Sequence, residues 1–221
     1  MSCLKESSLL IVVSVFCFGI EASAQFPQFG VKVGLNLANV VVNGSMDNAF
    51  PGKELKPGLV VGAYMTYNII PLVSVEPEVL FSMKGTMGSS TSLTLPSGSV
   101  DYTQVFNYIE VPVLLRLNLP LGPVIPFKAN VYAGPDFAFN VASNEKFTGA
   151  VIPGGSLTLD TKYLSSSFDF NLAVGAGAGF DLGPTTLGLE LRYTLGTGTL
   201  AKPDEGDLRN SVFAIMASVG I

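Results

Sequence analysis

The residues whose types and spacing could do chemistry are carboxylates, with basic residues on neighbouring segments. Glu76 and Glu78 lie on one face of an alternating stretch, and Glu110 lies on the same face of the next stretch. A hairpin centred near residue 94 would put Glu78 almost opposite Glu110. Two carboxylates so placed repel each other unless a cation lies between them. We therefore expect at least one cation within salt-bridge distance of Glu78 or Glu110, the candidates being Lys32, Arg116 and Arg192.

Catalysis by these carboxylates is the less favoured interpretation. The chain contains no histidine, the commonest general base, and its two cysteines, Cys3 and Cys17, lie in the predicted signal peptide and are removed with it. We predict an internal ion-pair network with a structural role, no enzymatic activity, no cofactor and no metal site. The predicted members of the network are Lys32, Glu76, Glu78, Glu110, Arg116, Lys128, Asp136, Asp169, Glu190 and Arg192.

Two further motifs favour plain structural interpretations. The acidic run at residues 204–207 lacks the spacing of an EF-hand, so a solvated loop is expected in preference to a calcium site. The three glycines Gly175, Gly177 and Gly179 resemble a nucleotide loop only superficially, because they fall inside a strand with no helix after it. We expect them to be small residues facing the interior.

The elements that position these residues are stretches in which apolar and small or polar residues alternate, the period of a β-strand. The connections between them alternate between long and short, as in barrels with extracellular loops and tight periplasmic turns. The sequence therefore predicts an all-β fold, an eight-stranded antiparallel up-and-down transmembrane β-barrel with short periplasmic turns and long extracellular loops. The predicted strands cover residues 29–40, 57–69, 73–84, 104–118, 125–141, 167–182, 186–196 and 210–221.

The distribution of charge between the two strand faces decides which face points outward. All the strand charges fall on one face, which is otherwise small and polar, whereas the apolar face carries none. An Arg or Lys facing lipid at the bilayer midplane costs roughly 2–4 kcal/mol, so a charge-free face is typical of a lipid-facing surface. The alternative is a soluble lipocalin-like carrier, which shows the same period with its apolar face inside.

The N-terminus and the composition agree with export. Residues 9–20 are almost wholly apolar and precede Ala22-Ser23-Ala24, which predicts a signal peptide over residues 1–24, cleaved after Ala24, and a barrel domain over residues 25–221. Charged residues make up only 13% of the chain, against roughly 25% in soluble domains. Acidic residues outnumber basic ones by 17 to 12, which argues against a nucleic-acid partner.

Several strands carry more than a generic pattern. The segments 29–39, 76–85 and 108–116, together with Tyr132-Ala-Gly-Pro135 and Leu191-Arg-Tyr193, resemble the outer-membrane β-barrel domain of Bacteroidota, often labelled porin family or PorT family. The resemblance covers the mature chain and implies a barrel with both termini in the periplasm. It implies no particular activity.

These observations favour an integral outer-membrane protein, non-enzymatic, with a structural or surface-interaction role through its extracellular loops. The expected partners are the outer-membrane bilayer, the barrel assembly machinery and an extracellular ligand or protein. Two alternatives stay open. One is binding of a small ligand or lipid at a barrel mouth lined by residues such as Tyr64 and Tyr132, and the other is the soluble periplasmic carrier.

Overall fold

The computed structural model describes residues 26–43, 54–91, 99–119, 127–149, 155–162, 166–197 and 207–221. Nearly all of these residues lie in strands. No helix in these ranges is long and apolar enough to cross a membrane. The predicted signal peptide and the acidic run at residues 204–206 lie outside the described ranges. The strands are β1 (Gln28–Asn43), β2 (Glu54–Ile70), β3 (Val73–Thr91), β4 (Ser99–Leu119), β5 (Phe127–Thr148), β6 (Ser156–Asp160), β7 (Phe168–Leu182), β8 (Thr185–Gly196) and β9 (Asp207–Gly220).

Eight of these strands close into an antiparallel barrel. Their order is β4-β3-β2-β1-β9-β8-β7-β5, and pairing of β4 with β5 completes the ring. Each strand pairs with its neighbours along the chain, apart from β6, and the terminal strands β1 and β9 pair through the register Val33↔Ala217. The predicted eight-stranded antiparallel fold is confirmed. Its closure leaves no open sheet edge within the ring, as a bilayer requires.

The two faces of each strand are separated by burial. On β1 the Leu35 side chain is 62% exposed while its neighbour Asn36 is 2% exposed, and on β8 Leu189 is 55% exposed while Glu190 is 5% exposed. Large apolar side chains therefore point away from the barrel and ions point into it. This is the reverse of a soluble carrier with an apolar interior, and it agrees with a lipid-facing exterior. Outward aromatic pairs, Phe137 with Phe170 and Phe139 with Phe168, lie 5.5 and 5.4 Å apart between ring centroids.

The register of β3 and β4 differs from the sequence prediction by two residues. Glu110 pairs with Leu80, so Glu78 lies diagonal to Glu110 and not opposite it. A shift of two keeps every side chain on its face, which is why the predicted faces stay correct although the hairpin centre is wrong. The β3–β4 ladder is interrupted between Pro77↔Val113 and Leu80↔Glu110 without a change of register. This is the local gap expected where Pro112 lacks a backbone donor.

Three strands run further than predicted, on the side of the barrel away from the termini. β3 continues to Thr91, β4 begins at Ser99 and β5 continues to Thr148. The short strand β6, which the sequence interpretation missed, pairs with this part of β5 through Asn144↔Asp160 to Thr148↔Ser156. A four-stranded sheet therefore projects beyond the rest of the barrel. We call β6 and the parts of β3, β4 and β5 over residues 84–91, 99–107 and 142–148 the projecting sheet.

Candidate functional site

The middle of the lumen is filled by six charged side chains, which we call the central cluster. Its members are the carboxylates of Glu76, Glu78 and Glu190 and the cations of Lys32, Arg116 and Arg192. Alternation places each of them on the inward face of β1, β3, β4 or β8. Their side chains are 0–6% exposed. Three positive and three negative groups cancel, so the cluster is neutral as a whole.

Lys32 occupies the centre of the three carboxylates. Its Nζ donates to Glu76 Oε1 at 2.9 Å, to Glu78 Oε1 at 2.6 Å and to Glu190 Oε1 at 3.1 Å. Oxygens of these three carboxylates lie within 4.8 Å of one another, a spacing that would suit a metal ion. The ammonium already takes that position, because its three hydrogens match three acceptors. This geometry favours an internal salt bridge over a metal centre.

The two arginines complete the cluster from opposite sides. Arg192 forms a bidentate pair with Glu78, with Nη1 2.7 Å from Oε2 and Nη2 2.8 Å from Oε1. Arg116 Nη2 donates to Glu76 Oε1 at 2.6 Å and to Glu190 Oε1 at 2.7 Å. Two of the candidate cations, Lys32 and Arg192, therefore contact Glu78, as expected. Charge-assisted and bidentate bonds are the strong kind, so the cluster is held firmly.

Tyr132 lies between the two guanidinium groups. Its ring centroid is 4.5 Å from Cζ of Arg116 and 5.3 Å from Cζ of Arg192, close enough for cation–π contact. The Tyr132 hydroxyl donates to Glu190 Oε2 at 3.2 Å. Tyr132 was expected at an open barrel mouth, but only 4% of it is exposed, so it belongs to the filled interior.

Every carboxylate oxygen of the central cluster accepts a hydrogen bond. Thr66 Oγ1 donates to Glu76 Oε2 at 2.7 Å. The other five oxygens accept hydrogen bonds from the cluster's own cations and from Tyr132. Buried ions are tolerated when they are paired and bonded in this way. Each carboxylate oxygen of the cluster is therefore already bonded to a neighbouring described side chain.

Glycines make room for this arrangement. A Cβ on Gly175 would lie 2.5 Å from Cζ of Tyr132, and one on Gly177 would lie 2.9 Å from Oδ1 of Asn130. That Asn130 oxygen accepts from Arg116 Nη1 at 2.8 Å. The glycine run of β7 is therefore a strip of small lumen-facing residues, as expected, and not a phosphate loop.

The other predicted members lie elsewhere in the barrel. Lys128 pairs with Asp181 at 2.7 Å, but their side chains are 64% and 40% exposed, so this pair belongs to the barrel rim and is separate from the cluster. Glu110, Asp136 and Asp169 lie nearer the projecting sheet, where Glu110 contacts Lys84. Lys84 is on the inward face by alternation but was omitted from the predicted network. On the projecting sheet, partial burial raises the pKa of the Glu145 carboxyl.

A cavity of about 470 Å³ opens at the end of the barrel that holds the termini. Gln28, Asn68 and Gly220 lie among its lining residues, and Glu76, Arg116 and Glu190 also line it. Since these three belong to the central cluster, the cavity reaches the filled part of the lumen. Tyr64 also lines it, as the sequence interpretation anticipated for a mouth.

A closed barrel that encloses its ions and exposes an apolar band belongs to the class of transmembrane β-barrel proteins. Within that class, residues 23–200 match the family described as outer membrane protein beta-barrel domain, and the chain belongs to this family. The family and the fold support an outer-membrane location. No curated protein matches the sequence.

The fold is similar to those of several solved structures. The attachment invasion locus protein Ail of Yersinia pestis, solved in complex with the heparin analogue sucrose octasulfate, is 14% identical, with 89% of this chain and 100% of that chain covered and a TM-score of 0.42. Neisserial surface protein A is 13% identical, with 88% and 99% covered and a TM-score of 0.42. The outer membrane protein OprG of Pseudomonas aeruginosa is 13% identical, with 87% and 94% covered and a TM-score of 0.45. These likenesses concern the fold alone.

Proposed function

We propose that this protein is a non-enzymatic, non-conducting outer-membrane barrel with a structural or surface-interaction role carried by its extracellular segments. The observation that carries the proposal is the central cluster, in which six buried charges join four strands across the lumen. Opening a path for hydrated ions would require breaking several buried ion pairs at once. Eight-stranded barrels have interiors just wide enough to be filled by side chains, which agrees with a lumen closed by the central cluster.

The projecting sheet is the part of the described chain best suited to contacts outside the membrane. The outward face of β5 is apolar at Phe137 and Phe139 and becomes polar at Asn144, Lys146 and Thr148. This change of character marks where the lipid-facing band ends. A rigid sheet that carries variable loops is a common platform for recognition.

Conductance and surface labelling test this proposal together. In planar bilayers, the refolded protein is expected to give no regular current steps. On intact cells, a Lys146→Cys variant is expected to react with a membrane-impermeant maleimide, whereas Asp181→Cys at the opposite rim should react only after the outer membrane is permeabilised. Steady open-channel currents would contradict the closed lumen. Labelling of Asp181→Cys alone on intact cells would contradict the extracellular assignment.

Binding of a small ligand at the periplasmic mouth is a second candidate. The cavity of about 470 Å³ has small polar side chains such as Thr66, Ser74, Asn118 and Ser218 in its lining, together with glycines, apolar residues and Tyr64. Native mass spectrometry of protein extracted from its own cells would reveal an added mass if the cavity holds a ligand. Unliganded protein in every preparation would count against this role.

Three further features complete the proposal. We infer from the segments 29–39, 76–85 and 108–116 that the chain belongs to the Bacteroidota branch labelled porin or PorT family. We also infer that it is exported with a signal peptide cleaved after Ala24 and inserted by the barrel assembly machinery. N-terminal sequencing of the protein from purified outer membranes should begin at Gln25.

A further inference from the structure

Above the central cluster, toward the projecting sheet, the lumen holds a second group of buried charges that is not neutral. Its carboxylates are Glu110, Asp136 and Asp169, which are 5%, 1% and 2% exposed. Lys84 is the cation that contacts them, through Glu110. With one positive and three negative formal charges, this group carries a net charge of −2. We call Asp136, Asp169 and the two asparagines described next the upper site.

Two fully buried asparagines bond to the aspartates and leave oxygens without donors. Asn171 Nδ2 donates to Asp136 Oδ2 at 3.1 Å, and Asn210 Nδ2 donates to Asp169 Oδ2 at 3.2 Å. Both asparagines are 0% exposed. Among the described residues, no hydrogen-bond donor reaches Oδ1 of Asp136, Asp169, Asn171 or Asn210.

The amide orientations follow from this geometry. Turning either asparagine over would set its oxygen against a carboxylate oxygen, so the nitrogens face the aspartates and the amide oxygens have no donor in the described part of the chain. An unpaired buried acceptor costs free energy, and the central cluster of the same barrel leaves no carboxylate oxygen in that state. The central cluster satisfies its carboxylate oxygens and the upper site does not, which points to a positive partner missing from the upper site.

Two other described luminal cations are engaged elsewhere, and Lys84 contacts Glu110 within this group. Arg192 has both terminal nitrogens on Glu78. Lys56 donates to the Pro57 carbonyl at 3.3 Å. Lys84 Nζ contacts Glu110 and lies 5.3 Å from the centroid of the Tyr108 ring, but it makes no hydrogen bond to the described residues. None of these three donates a hydrogen bond to the four free oxygens.

We propose that the upper site binds a hard divalent cation of the calcium class, held by the carboxylates of Asp136 and Asp169 and the amide oxygens of Asn171 and Asn210. Carboxylate and amide oxygens without hydrogens are the ligands such cations select. A double positive charge also offsets the two unbalanced negative charges. Gly196 lies between the two asparagines across β7, β8 and β9, and a Cβ there would lie 3.4 Å from Asn171 Oδ1. The absent side chain leaves space beside the ligand oxygens.

Terbium luminescence tests the proposal, since Tyr108 can sensitise a bound ion. The Tyr108 hydroxyl accepts a hydrogen bond from Asn210 Nδ2 at 3.3 Å, and the chain contains no tryptophan to compete as sensitiser. Refolded, chelator-treated protein in detergent is titrated with Tb³⁺ and then with Ca²⁺. We expect tyrosine-sensitised emission that saturates at one ion per chain and is displaced by Ca²⁺.

Variants locate the ion. Asp169→Asn and Asn171→Ala are expected to weaken Tb³⁺ affinity by about ten-fold or more, because each removes a ligand or its charge. Asp181→Asn, a carboxylate at the other rim, is the matched control and should bind as wild type does. Tyr108→Phe should lose most of the emission while Ca²⁺ binding, measured by equilibrium dialysis with ⁴⁵Ca²⁺, is kept.

Three outcomes would overturn the proposal. The first is wild-type protein that retains no Ca²⁺ in dialysis. The second is emission unchanged in Asp169→Asn and Asn171→Ala. The third is emission that disappears in a variant carrying Asp204→Asn and Glu205→Gln, which would assign the ion to the acidic run at residues 204–207. Heat-modifiable migration on gels checks that each variant is folded, and the dialysis of the wild-type chain decides the question even where a variant fails to fold.

Discussion

At the scale of single residues, Lys32 is the feature on which the interior depends most. Among the described residues, it is the one side chain that contacts all three carboxylates of the central cluster. The inward position of Lys32 and of its partners could be predicted from alternation, because period two assigns each residue to a face. Its contacts could not be predicted, since they depend on how the sheet closes and on register between strands far apart in the chain. Lys32 and Glu190, for example, are 158 residues apart.

We expect Lys32→Met to destabilise the barrel. The substitution leaves three carboxylates facing two guanidinium groups, and removing one partner of a buried ion pair costs about 3–5 kcal/mol. Urea unfolding in lipid vesicles, followed by circular dichroism because the chain has no tryptophan, measures the change. Lys146→Met, at an exposed position of the projecting sheet, is the matched control.

A second substitution tests the charge argument itself. Adding Glu76→Gln to Lys32→Met restores neutrality, so the double variant should recover part of the lost stability. Equal stability of Lys32→Met and Lys146→Met would show that the ammonium does not hold the cluster together. If adding Glu76→Gln instead lowered the stability further, by as much as the loss of another ion-pair partner would cost, net charge would not be the cause of the destabilisation.

At the scale of elements, the strands were predictable where they face lipid and less so beyond it. Strands β7, β8 and β9 match the sequence prediction to within a few residues, because lipid demands an uninterrupted apolar face. Strands β3, β4 and β5 run further than predicted, since their outward faces become polar in the projecting sheet and the alternation fades. Strand β6 was missed because it has only five residues, although Leu157 and Leu159 alternate within it.

The glycine strip of β7 gives a matched pair of substitutions at this scale. We expect Gly175→Ala to destabilise the barrel by about 1–3 kcal/mol, as overpacking does, because its Cβ would overlap the carbonyl oxygen of Leu191 and lie 2.5 Å from Cζ of Tyr132. Gly179→Ala, where the nearest atom would be Cγ2 of Thr186 at 3.3 Å, should be tolerated. The measurement is again urea unfolding in vesicles. If both variants lost the same stability, backbone flexibility of the strand, and not the close fit against Leu191 and Tyr132, would be the cause.

At the scale of the whole molecule, the fold and the location follow from one division of the sequence into an apolar face and an ionic face. The same division occurs in all eight barrel strands. The predicted faces therefore stay correct even where the predicted register is wrong by two residues, as in the β3–β4 hairpin. The unequal ionic balance of the two lumen layers did not follow from the sequence. It depends on which inward residues share a level of the tilted barrel, and that is set by the pairing of all strands together.

The most direct test of this account is the position of introduced tryptophans relative to lipid. Because the chain has no tryptophan, Leu189→Trp and Leu191→Trp on β8 each add a single reporter on the outward face. Ser218→Trp on β9 adds one in the cavity at the end of the barrel that holds the termini. In vesicles of brominated phospholipid, the account predicts strong quenching at positions 189 and 191 and little at position 218, where aqueous iodide should quench instead. Iodide quenching at 189 and 191 with no effect of brominated lipid would contradict it.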